Sequence, residues 1–105
     1  MHVIYKGTTP SFSFTLPYTI DEISKMSMVF VQQGKVIIKK VKSDFSHTNK
    51  IFIVSLTQQE TNLFNSQYEV RVQLKLQLDN TKQVFISDED TMKFEVKKIY
   101  DREIF

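Results

Sequence analysis

The side chains able to do chemistry are few and scattered. His2 stands near the start and His47 in a polar stretch. Neither has a carboxylate or a second imidazole at the spacing a metal ion needs, so both read as solvent-facing. Ser46 and His47 are neighbours, with Asp44 two positions before Ser46. A nucleophile, its base and an orienting acid are brought together by the fold rather than by adjacency, so this trio is not read as a triad. Asp88-Glu89-Asp90 offers the hard oxygens that calcium takes, but neither EF-hand spacing nor a glycine follows, and the run reads as a solvated hairpin loop. Gly7 and Gly34 are the only glycines, which removes any glycine-rich phosphate cradle. Lys35, Lys39, Lys40, Lys42 and Lys50 make the one basic concentration. With Phe45 among them they could track a phosphate backbone; the plainer reading is a charged strand and loop that keep an open sheet edge from pairing with other chains. No catalytic residue, cofactor or metal is expected.

Composition narrows the class without naming a task. A chain of 105 residues, 41% hydrophobic and 25% charged, suffices for one two-layer core and is too small for a separate catalytic subdomain. A formal charge of +2 argues neither for nor against a phosphate-rich partner. There is no cysteine, so stability must come from packing, without disulfides or thiolate-bound metal. The opening Met-His-Val-Ile-Tyr-Lys-Gly lacks an apolar signal core and no window reaches bilayer-spanning length, so a soluble, unexported protein with no membrane contact is expected.

The elements that must position these groups are strands. Tyr68 to Asp79 alternates without a break, placing Tyr68, Val70, Val72, Leu74, Leu76 and Leu78 on one face and polar groups on the other, the period of a half-buried strand. Phe12, Phe14 and Leu16 alternate inward between Pro10 and Pro17, after a short first segment His2 to Lys6. Tyr18 to Lys25 reads as a connector with one helical turn behind Thr19. Ser27 to Val31 and Lys35 to Val41 form a hairpin in which Gly34 supplies positive φ. Apolar groups on both faces of the second arm imply a bulge or a partly covered outer face. Lys42 to Lys50 reads as loop, and Ile51 to Leu56, apolar on both faces, as a central or covered strand. Thr57-Gln58-Gln59-Glu60 has capping-box spacing for a single helical turn that crosses between sheets, with Leu63 and Phe64 as apolar anchors. A second hairpin joins Tyr68–Asp79 to Gln83–Ile86, with Asn80 as its left-handed residue. Met92, Phe94 and Val96 alternate on a last strand.

These spacings predict an all-β chain: a single immunoglobulin-like antiparallel β-sandwich of seven or eight strands with one short helical turn. A small barrel is the second choice. The sandwich takes residues 1–98, and 99–105 form a C-terminal tail that either packs on its own domain or docks on a partner.

The run Ile4-Tyr5-Lys6-Gly7-Thr8-Thr9-Pro10-Ser11-Phe12-Ser13-Phe14-Thr15-Leu16 resembles the start of small structural proteins encoded among the virion genes of phages and prophages of Gram-positive and gut bacteria. The hairpin at Gly34-Lys35, the segment Leu56-Thr57-Gln58-Gln59-Glu60-Thr61, the long strand and hairpin of Tyr68 to Ile86, and the tail similar to Val96 to Phe105 follow the same pattern. The chain is also similar to the N-terminal β-sandwich of phage baseplate upper proteins. Asp79-Asn80-Thr81-Lys82 departs from that pattern, which has Asp-Gly or Asn-Gly at this turn.

The resemblance implies a non-enzymatic virion component of head, neck, tail or baseplate, found in the virion and in the host cytoplasm during assembly. Its partners would be other virion proteins or copies of itself in a symmetric assembly. Tyr5, Tyr100, Ile104 and Phe105 are the expected protein-contact residues, because apolar groups in terminal segments either close the domain's own edge or dock on a neighbour. A glycan- or host-surface-binding module is the alternative, with Tyr18, Phe45 and Tyr68 as its aromatic platform. Nucleic-acid contact through the lysines ranks third, and an enzyme last.

Overall fold

The computed structural model describes residues 2–87 and 92–98. Among these residues nine strands fill two sheets. They are β1 (His2–Tyr5), β2 (Ser11–Thr15), β3 (Ile23–Gln32), β4 (Lys35–Val41), β5 (Ser46–Thr48), β6 (Ile51–Ser55), β7 (Val70–Leu78), β8 (Val84–Ile86) and β9 (Met92–Lys97), with one short helix, α1 (Gln58–Asn62). The larger sheet runs β1-β9-β7-β3-β4, with β8 also paired to β7, and the smaller runs β2-β6-β5. Sheets ordered in this way, with sequential hairpins in one and the intervening strands in the other, are the immunoglobulin arrangement. β8 and β9 share one flank of β7: β8 lies beside Lys75–Gln77 and β9 beside Val70–Val72. All pairings are antiparallel except β1 with β9, which is parallel, Ile4 facing Val96.

Alternation puts one set of side chains between the sheets. Met26, Met28 and Phe30 of β3, Val70, Val72 and Leu76 of β7, and Phe94 and Val96 of β9 are buried against Phe52 and Val54 of β6. Aromatic rings interlock the layers. Phe12 lies 5.0 Å from Phe94 and 5.6 Å from Phe30 between ring centroids, and Phe14 stacks on Phe52 at 5.8 Å. Each fully buried ring of this kind contributes on the order of 2–3 kcal/mol of burial free energy.

Local chemistry sets the turns. Gln33 and Gly34 both take positive φ, 50° and 74°, the pair a two-residue hairpin of matching twist requires. A register shift between Phe30 and Val31 leaves Ile37 without an opposite residue, the bulge implied by apolar groups on both faces of β4. The capping box forms as its spacing predicts: the Glu60 N–H donates to the Thr57 hydroxyl oxygen at 3.1 Å, and the Thr57 N–H donates to Glu60 Oε1 at 2.9 Å. Lys40 Nζ donates to that same carboxylate oxygen at 2.8 Å, tying α1 to β4. Burial disfavours the Glu60 anion, but the Lys40 and Thr57 hydrogen bonds outweigh it and hold the carboxyl below its ordinary pKa.

Several expectations need correction. β3 starts at Ile23 rather than Ser27, because only Ile20–Glu22 of the connector forms a helical turn. Lys42–Lys50 contains a 3-10 turn and β5. In the second hairpin the left-handed residue is Lys82, φ 57°, not Asn80. β6 is central, yet its outer face is open: Ile51 and Ile53 are exposed. Phe64 anchors α1, whereas Leu63 is exposed. Tyr68 precedes β7 and is exposed, the chain still turning there.

Candidate functional site

The scattered polar trio stays apart in its chemistry. Asp44 Oδ2 accepts the Val41 N–H at 2.8 Å, closing a 3-10 turn. His47 lies against the Phe52 ring, and the Ser46 hydroxyl donates to the Ile53 carbonyl at 3.5 Å. Each is occupied in holding β5. Among the described residues no group of three or more His, Cys, Asp or Glu converges on a common point.

The lysine concentration disperses similarly. Lys40 turns toward Glu60, Lys42 Nζ donates to the Ile23 carbonyl at 2.7 Å, and Lys50 sits in the turn before β6 on the other sheet. Phe45 is buried, edge-on to Phe14 at 5.9 Å, and offers no ring to a base or a sugar. The aromatic platform fails on the same residue, and Tyr18 instead approaches Phe85 at 6.2 Å. Tyr5 is exposed because the parallel pairing turns Ile4 inward and sends its neighbours Val3 and Tyr5 outward, so it does not serve the core. Tyr100, Ile104, Phe105 and the Asp88–Asp90 loop lie outside the described residues.

Two features that pattern reading missed lie together at the Leu78 end of β7. The first is β8. Val84, Phe85 and Ile86 are 50%, 44% and 58% exposed, three successive apolar side chains, and β8 has no partner on its far side among the described residues. The sequence placed this strand; it carried no sign that both of its faces would stay uncovered.

The second is a groove of about 910 Å³ beside it. Cross-strand registers build its wall on the outward face of the larger sheet: Val84, Gln77 and Lys25 align in one row, and Lys75, Ser27 and Val41 in the next. Lys39 extends this face, Lys42 closes the end, and Ile20, Val41 and Val84 supply apolar surface. Four lysines and no carboxylate line it. They came together from β3, β4 and β7 and the turn after β4, so no contiguous basic run revealed them. The arrangement favours an anion with apolar surface.

No family model and no curated protein sequence matches the chain. Two solved structures of mouse leukocyte-associated immunoglobulin-like receptor 1, both described as strand-swapped dimers, are similar to it at 12% and 11% identity, with TM-scores of 0.46 and 0.43. Each alignment covers 92% of this chain and 85% of the other. The immunoglobulin-like assignment stands on this chain's own strand order. Among the described residues no helix is long and apolar enough to cross a membrane.

Proposed function

We propose that the protein is a non-enzymatic assembly module, a structural component of a phage or prophage particle that joins copies of itself or neighbouring virion proteins. The observation that carries the assembly reading is β8: an edge strand with three successive exposed apolar residues and, among the described residues, no partner on its far side is a surface suited to pairing. The opposite edge, β4, carries exposed Lys35 and Lys39, the usual guard against such pairing. Of these two strands β4 is guarded and β8 is bare among the described residues. The virion setting draws its support from the resemblance of Ile4–Leu16 and the segments after it to phage structural proteins. Among the described residues Tyr18, Phe45 and Tyr68 form no common platform for the glycan-binding alternative.

The test is sedimentation of the full chain from low micromolar to submillimolar concentration. The average mass should rise with concentration, and Phe85→Lys should weaken the association by roughly tenfold, equivalent to about 1.4 kcal/mol. Phe85 is 44% exposed, so the circular dichroism of the variant should be unchanged. A chain that stays monomeric throughout refutes self-assembly.

A further inference from the structure

We infer that the lysine-lined groove receives residues 99–105 of a second copy of this chain. The inference deepens the assembly reading and rests on it. The groove presents Lys25, Lys39, Lys42 and Lys75 beside apolar Ile20, Val41 and Val84, with no carboxylate of its own. Its occupant must therefore bring negative charge and apolar side chains together. Ile99-Tyr100-Asp101-Arg102-Glu103-Ile104-Phe105 does so: two carboxylates flanked on each side by two large apolar residues. A nucleic acid fits less well, because it brings the negative charge without the apolar side chains.

Register decides between the chain's own tail and a neighbour's. β9 pairs Phe94 with Val70 and runs on to Lys97, away from the groove. From Lys97 back to Lys75, at the near rim, is five residues of β7 and three of β9, about 26 Å at ~3.3 Å per residue. Residues 99–105 fully extended span about 23 Å. Folding back within one molecule would spend the whole segment on the journey and leave nothing to lie in the groove. A neighbour's segment has no such constraint. The contact is then heterologous, tail of one copy to groove of the next, and it continues as a ring or an open chain rather than stopping at a dimer. Val84 belongs both to the groove and to β8, so the two surfaces form one continuous face.

Charge exchange in the full chain tests this. Lys25→Glu/Lys75→Glu takes the groove from four positive charges to two of each sign and removes its attraction for an acidic tail, and Asp101→Lys/Glu103→Lys makes the tail basic against a basic groove. Each variant alone should associate at least tenfold more weakly than the wild type. Mixed in equal amounts they should recover association, since the unaltered groove of one variant now meets the unaltered tail of the other; substitutions that act by unfolding the chain, or at a contact that does not join tail to groove, give no recovery. Folding of both variants is checked by circular dichroism. A variant that fails to fold is replaced by Lys25→Gln/Lys75→Gln or Asp101→Asn/Glu103→Gln, for which the same tenfold weakening is expected alone, with added salt weakening the wild type but not these variants. Wild-type association that survives both exchanges while yielding to Phe85→Lys overturns the tail inference and leaves the assembly reading standing. A wild type that never associates overturns both.

Discussion

Gln32 is the buried polar side chain on which the corner between α1 and β7 depends, and replacing it by leucine should be costly. Its Nε2 donates to the Asn65 carbonyl at 2.8 Å and to the Tyr68 carbonyl at 3.0 Å, and its Oε1 accepts the Asn65 N–H at 2.9 Å. The residue is 5% exposed, so water cannot readily replace these partners. A net hydrogen bond contributes about 0.5–1.5 kcal/mol, and a buried backbone group left unpaired costs about 1–3 kcal/mol. Three bonds lost at once, partly offset by the added apolar volume, give about 3 kcal/mol, a large share of the about 5–15 kcal/mol available to a domain. Urea unfolding followed by circular dichroism should show the midpoint lowered by about 1–3 M at unchanged slope. Gln32→Glu sharpens the test. An anion facing two carbonyls is disfavoured, so its folded pKa rises; stability should be highest at acid pH and fall as pH climbs through that raised value. A midpoint change equivalent to less than about 1 kcal/mol in Gln32→Leu would show that the corner holds without its clamp.

Glu60→Gln should reduce stability by about 1 kcal/mol at neutral pH through the weakened capping box and lost Lys40 pair. Because the Glu60 carboxyl sits below its ordinary value of 4.5, its contribution is present above that value and disappears as pH falls through the lower folded one; thermal melts down a pH series should show the variant losing less with acid than the wild type. Thr61→Val should destabilise by about 1–3 kcal/mol, since the Thr61 hydroxyl accepts the Gly7 N–H at 3.0 Å and donates to the Thr8 carbonyl at 2.8 Å. Amide exchange should quicken most at Gly7. Lys82→Gly should be neutral to stabilising, up to about 1 kcal/mol, by relieving a left-handed residue, and Asn80→Gly should not raise the melting temperature.

The sequence made the sandwich readable wherever one face of a strand was buried. Phe12, Phe14 and the Val70–Leu78 run alternate because water lies on one side and the opposite sheet on the other, and Thr57–Glu60 is a local motif complete in four residues. Reading failed where partners are distant. Gln32 and Thr61 look like surface polar residues, and only their bonds to Asn65, Tyr68, Gly7 and Thr8 reveal them as interior fasteners. Ile51 and Ile53 resemble core residues, yet point outward from a three-stranded sheet. The groove was least legible. Lys25, Lys39 and Lys75 lie on three strands, and their union depends on register, which no local pattern encodes.

The parallel union of β1 with β9 bears on how the molecule is made. Ile4 and Val96 stand 92 positions apart, so their ladder must close a long loop before it gains any hydrogen bonds, while the β3–β4 hairpin needs only two turn residues. This flank of the larger sheet therefore joins late in folding. Until it does, Ile4, destined for the interior, is uncovered, and the β9 strand of another folding copy competes for it.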